Sequence, residues 1–256
     1  MITFGLRIDH RIAPGDSSDI AKAVGRAFDH PAFRALRRVA YSSRDRRSRY
    51  QPRTATAVAE TLLSDECDAA FLDSGRTGEL IATANILTGR DIRRYASETD
   101  LLPSHAVVPS DPAHPLDVVE GFAALVSVLD AVCGYICVER GFSEANAAAI
   151  GFKPKPRPRD FPRRTQERKA HNRYFEWRET QIAGPEWGLF LGPGHLARVT
   201  PDPAVFPIIQ DVGRGKLCLL SDNPEDALGA AFDGRLEEAR RVLGPVLMDV
   251  SGVPVD

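Results

Sequence analysis

Six histidines, four cysteines and 35 carboxylates are the groups in this chain that could do chemistry, and their spacing narrows what that chemistry can be. His10, His30, His105, His114, His171 and His195 never fall at i,i+3 or i,i+4, and no Cys/His cluster stands at zinc spacing, so no metal site is expected. His30 and His114 each precede a proline, which suits entry to a helix rather than ligation. No G-x-S-x-G elbow presents a nucleophilic serine. Cys67, Cys133, Cys137 and Cys218 make no C-x-x-C pair, and they read as reduced, buried, small apolar residues. An apolar setting around Cys133 and Cys137 raises a thiol's pKa and leaves it inert. One pattern, Gln210-Asp-Val-Gly213-Arg-Gly215, has the Q-x-x-G-x-G spacing of a loop that cradles a coenzyme pyrophosphate. Such a loop must open a helix, whose free N–H groups meet the phosphate. This one runs into the strand-like Lys216–Leu220 and is read as a hairpin turn, so no cofactor is expected. The linear sequence shows no catalytic constellation and points away from an enzyme. A small-molecule enzyme whose carboxylates converge only in the fold stands as the alternative.

Charge is the next signal. The chain has 256 residues, with 33 Lys+Arg against 35 Asp+Glu, but the near balance conceals segregation. Residues 34–53 hold eight arginines and one acid, and residues 153–178 hold ten basic side chains and three acids. Residues 54–140 carry 14 acids against 5 bases, and residues 201–256 carry 10 against 5. Two basic segments on an acidic body are expected to pair with that body or to face solvent. The second segment interleaves its charges with Phe161, Tyr174, Phe175 and Trp177, a composition suited to phosphate contact and base stacking. A sequence pI near 6.3 and the lack of a known reading module argue against nucleic acid as the partner, and a basic-loop nucleic-acid binder is kept as a further alternative.

The elements that must position these groups alternate between helix and strand. Met1–Asp9 alternates as a strand and lacks the basic and apolar regions of a signal peptide, so a cytoplasmic location is expected. No run approaches the length of a membrane span. Asp16–Asp19 offers a helix cap before Ile20, Ala23, Val24, Ala27 and Phe28, and Pro31 suits the start of a second helix carrying Phe33, Leu36 and Val39 inward. A third helix is expected over 54–64, strands over 69–73, 80–87 and 105–109, and a long buried helix over 116–132 stopped by Gly134. Four prolines at 154, 156, 158 and 162 favour an extended surface segment. Two strands flank Gly213–Gly215, and Asn223-Pro224-Glu225-Asp226 starts a helix that ends at Gly244-Pro245. The fold class is α+β, a mainly antiparallel sheet packed by helices. One compact unit is expected over 1–256, with halves 1–152 and 174–256 joined by the Pro/Arg-rich segment 153–173.

Two stretches carry a family resemblance. Leu116–Glu139 reads as a long apolar helix that passes through Ala131-Val-Cys-Gly-Tyr135 into a strand, and Glu186-Trp-Gly-Leu-Phe-Leu-Gly192 follows before a strand pair and a final helix. This order resembles bacterial polymorphic-toxin immunity proteins of the immunity protein 52 and related type VI immunity group, over residues 116–140 and 186–247. The resemblance implies a non-catalytic antitoxin that binds and neutralises a cognate protein toxin. It implies a structural role for Trp187, Gly188, Phe190 and Gly192 as an aromatic anchor beside a tight turn. Aromatic and arginine anchors dominate protein interfaces, so Arg157, Arg163, Arg164, Tyr174, Trp177 and Arg178 are the candidate partner-binding residues, expected at the surface.

Overall fold

Eight residues near the N-terminus, Thr3–His10 (β1), are all buried, which makes this strand a central one. The computed structural model describes residues 2–42, 48–75, 81–88, 101–111, 113–150, 166–167, 170 and 177–251. After β1 come helix α1 (Ser18–Ala27), strands β2 (Arg38–Ser42) and β3 (Gln51–Pro52), helix α2 (Ala55–Leu63), and strands β4 (Ala69–Asp73), β5 (Thr83–Leu87) and β6 (Leu102–Pro109). Helix α3 (Asp117–Val128), strand β7 (Ala131–Glu139), helix α4 (Phe142–Ile150), strand β8 (Gly188–Leu191) and the short helix α5 (Pro193–Leu196) follow. A hairpin, β9 (Ile208–Val212) and β10 (Gly215–Leu219), and helix α6 (Phe232–Leu243) complete the order. The strands form one sheet in the order β3-β2-β4-β5-β6-β1-β7-β8-β10-β9, with every neighbouring pair antiparallel. The protein is therefore α+β. The β7–β8 pairing carries the sheet across the Pro/Arg-rich segment.

Alternation along β1 sorts its side chains between two layers. Phe4, Leu6 and Ile8 join the main core with Phe28, Phe33, Leu62 and Phe122 from the α1, α2 and α3 side. Gly5, Arg7 and Asp9 turn to the opposite face, where α4 lies. At Gly5 the helix comes so close that an added Cβ would stand 2.5 Å from the Ala145 carbonyl oxygen and 2.6 Å from Cys137 Sγ. Local signals set the helix starts: Ser17 Oγ accepts from Ile20 N at 3.5 Å, and Thr54 Oγ1 accepts from Ala57 N at 3.0 Å.

Several expectations are corrected. Pro31 opens only a 3-10 turn, Pro31–Phe33, and the chain then becomes β2. Phe33 and Leu36 are buried as read, but Arg37 N donates to the Asp73 carbonyl at 2.7 Å and β2 pairs with β4, so sheet pairing overrides the helical spacing. The apolar helix ends at Val128, not 132, because Asp130 takes a positive φ of 48° and the chain enters the ladder with β1. Gly134 lies inside β7 and is no helix stop. Helix α4 is an element absent from the sequence expectations. The C-terminal helix begins at Phe232, after a separate 3-10 turn over Pro224–Leu228 that Asn223 caps at 3.1 Å. The Gly213 loop is the expected hairpin: Gly213 has φ +56° and joins β9 to β10.

Candidate functional site

The polar side chains that the sheet brings together lie on the α4 face of its centre. In the strand register Arg7 faces His105 on β6 and Tyr135 on β7, and Asp9 faces Pro103 and Cys133. Arg7 Nε and Nη2 donate to Asp9 Oδ1 at 3.3 and 3.4 Å, and Arg178 Nη1 donates to the same oxygen. Cys133 Sγ donates to Asp9 Oδ2 at 3.4 Å, and Tyr135 Oη donates to the Ala148 carbonyl of α4 at 3.0 Å. Arg7, Asp9, Cys133, Tyr135 and Arg178 are all buried.

Burial and charge set the protonation states. Burial, then the Asp9 carboxylate, pushes the Cys133 thiol well above its ordinary range. Burial, which outweighs the opposing effect of Arg7, raises the Tyr135 phenol. Burial pulls Arg178 down to about 10 against the pull of Asp9, so it is still a cation at neutral pH. Burial also lowers His105 to about 4, helped by the Arg7 charge. None of these groups is poised to exchange a proton near neutrality. The arrangement can hold a buried charge cluster, and its thiol is no nucleophile.

A second buried pair lies further along the chain. Arg240 Nε and Nη2 donate to the two oxygens of Glu167 at 2.6 Å each, and Nη1 donates to Glu237 at 2.8 Å. Thus Glu167 and Arg178, from the basic region, are both fixed in the interior by partners on α6 and β1. Arg38 donates to Asp73 at 2.9 and 3.0 Å, and Arg34 lies 2.7 Å from Asp111. The expected pairing of a basic segment with the acidic body is present at Arg34 and Arg38.

Two groupings are missing from the sequence expectations, the first because its members are distant and the second because histidine and cysteine spacings do not count carboxylates. His10 Nδ1 donates to the Ile12 carbonyl at 2.9 Å, and Nε2 accepts from Ser104 Oγ at 2.8 Å. Ser104 in turn accepts from Leu87 N at 3.2 Å. This is a serine–histidine pair across 94 positions, but the two residues are 1% and 0% exposed, so a substrate has no approach to the oxygen. Ligand atoms of Asp111, His114 and Asp117 lie within 4.8 Å of one another. Asp111 already accepts from Ala113 N at 3.1 Å and meets Arg34, which identifies it as a loop cap. These three residues border a cleft of about 50 Å3 that Pro31, Arg34 and Val118 also line. Small-molecule sites are typically ~300–1,000 Å3.

Of the partner-binding candidates, Arg157, Arg163, Arg164 and Tyr174 lie outside the described residues. Trp177 is 47% exposed. Arg178 corrects the expectation of exposure: it is 1% exposed, because Asp9 in mid-sheet needs a cation. Trp187 is fully buried, donates from Nε1 to Ser221 Oγ at 3.0 Å and packs on Phe4 with ring centroids 5.9 Å apart. Gly188 and Phe190 lie in β8 rather than a turn, and Gly192 precedes α5 where an added Cβ would meet the Val132 carbonyl oxygen at 2.3 Å. All four cysteines are buried, and none is in a disulfide. Among the described residues no helix is long and apolar enough to cross a membrane.

No family model matches the chain, and no curated protein matches it by sequence. Among solved structures it is similar to the Pseudomonas aeruginosa T6SS protein PA0821, with a TM-score of 0.61 and 12% identity over 96% of this chain and 77% of that one. A likeness of that kind, at that identity, establishes a shared fold.

Proposed function

We propose that this protein is an immunity protein that binds and neutralises a cognate toxin of a type VI-like system, without catalysis. The observation that carries the reading is the fold shared along 96% of the chain with a T6SS protein. It agrees with the order of elements that resembles type VI immunity proteins. The chemistry of the interior supports the same reading. The central carboxylate is held by two arginines, the thiol beside it is driven toward its neutral form, and the serine–histidine pair is sealed. Perturbed titratable groups are also expected in an enzyme's site, and their presence is the observation that favours the catalytic alternative. Their burial and mutual pairing fit a scaffold better.

The partner surface in this reading centres on Trp177, with Arg157, Arg163, Arg164 and Tyr174 contributed by the adjoining segment. Arg178 acts from inside: its buried bond to Asp9 fixes the backbone next to the exposed indole. Thr180 N and Gln181 N both donate to the Trp177 carbonyl, at 3.0 and 2.7 Å, and hold the same turn. A preorganised aromatic anchor loses little entropy on binding. The test is co-expression with the product of the gene beside its own. Tight binding together with rescue of growth supports immunity; a neighbour that is neither toxic nor bound overturns it.

A further inference from the structure

The two ends of the sheet differ in how they meet solvent. One end is β3, two exposed residues long and containing Pro52, which has no N–H to offer. Short edges with proline are blunted against further pairing. The other end is β9, five residues with no proline and an unbroken register to β10.

The two-residue turn fixes which way each β9 backbone group points. Val212 and Gly215 flank the turn and form a hydrogen-bonded pair, so Gln210–Leu217 and Ile208–Leu219 are hydrogen-bonded pairs as well. Ile209 and Asp211 therefore turn their N–H and C=O groups outward. These outward groups have no hydrogen-bond partner among the described residues.

From this we infer that β9 is a self-association edge, pairing antiparallel with β9 of a second copy about a twofold axis at Gln210. In this register Ile209 faces Asp211 of the other copy, and the reverse, so four N–H···O=C bonds engage every outward group of both strands. Ile208 faces Val212 on one side of the ribbon, and the two Gln210 amides face each other. Asp211 never faces its own copy, and Lys216 stays beside it at 2.5 Å. The neighbouring registers are worse. A twofold at Asp211 sets like charges opposite each other, and one at Ile209 brings Pro207, without an N–H, against Asp211. The strand is thus complementary to itself in one symmetric arrangement, as an isologous interface requires. This inference does not depend on the toxin reading.

Sedimentation velocity over a concentration series tests it. The wild-type mass is expected to rise toward that of a dimer with concentration. Asp211→Pro removes an outward N–H that the β9–β10 ladder does not use, and is expected to weaken association at least tenfold. Gln210→Lys and Gln210→Glu, at an exposed position, should each abolish association alone, and their equimolar mixture should restore it. Circular dichroism and thermal melts of the two Gln210 variants establish that they fold. A wild type that stays monomeric to several hundred micromolar overturns the inference. So does a dimer that Asp211→Pro and both Gln210 variants leave intact, or a monomer whose β9 variants lose toxin binding instead.

Discussion

Two aspartates, Asp9 on β1 and Asp73 on β4, each hold arginine, yet they stand in different surroundings. Asp9 is 0% exposed and takes Arg7 from its own strand and Arg178 from 169 positions away. Asp73 is near one end of the sheet, where Arg38 reaches it in a fork while remaining partly exposed and stacking over Tyr50 at 4.3 Å. Burial alone would raise the Asp73 carboxyl, but Arg38 and the Gly75 N–H, at 2.9 Å, hold it below its ordinary range. The same pair of residue types is thus sealed on both sides in one place, while in the other a buried aspartate, 3% exposed, is held by an arginine that reaches solvent. The depth of the arginine decides the difference, since water reaches Arg38 and does not reach Arg178.

The largest expected effect follows from that. Asp9→Asn leaves Arg7 and Arg178 in the interior without their carboxylate and should cost about 3–5 kcal/mol in urea denaturation. A loss below about 1 kcal/mol would mean that water reaches the site and that the contrast is wrong. Gly5→Ala tests the packing around the same cluster. Its Cβ would press on the Ala145 carbonyl and Cys137, for a destabilisation of about 1–3 kcal/mol in the same assay.

Acid should separate the two regions. Burial lowers His10 to about 4 against its bond to Ile12, and lowers His105 to about 4 as well. An unfolded histidine binds its proton near pH 6.5. Between that pH and about 4 the unfolded chain therefore carries the extra protons, and stability falls as pH falls, by up to about 1.4 kcal/mol per pH unit for each histidine. Asp73 has the usual carboxylate sign: its contribution is present above the unfolded pKa near 3.9 and is lost only as pH drops further, through the depressed folded value. Denaturation midpoints from pH 7 to 3 should show the histidine slope first, and His10→Gln should reduce it. An unchanged slope in that variant would remove His10 from the account.

On binding, Trp177→Ala should weaken a toxin complex by about 2 kcal/mol, roughly thirtyfold, if the indole is a hot spot, and Arg163→Glu with Arg164→Glu should slow association. Calorimetry and stopped-flow kinetics separate these effects. At the bottom of the scale, Arg38→Ala should lower the midpoint by less than Asp9→Asn does. Breaking the exposed Arg214–Asp130 pair should leave it unmoved.

What the chain announces by itself is local. Ser17, Thr54 and Asn223 cap the turns they precede, the glycine between β9 and β10 turns the hairpin, and the alternation at the N-terminus is that of a strand. Each of these follows from interactions within a few residues, so residue type and spacing suffice to read them. The helical spacing at 31–39 misleads because β2 gains a partner in β4 that the spacing does not register. The burial of Arg178 could not be read either. Its basic neighbours suggest a surface, and its partner is an aspartate in the first strand. The ten-strand order, the sealed serine–histidine pair and the open β9 edge likewise depend on which strands end up adjacent. Only tertiary structure decides those, because desolvation and pairing act on neighbours in space, whatever their separation along the chain.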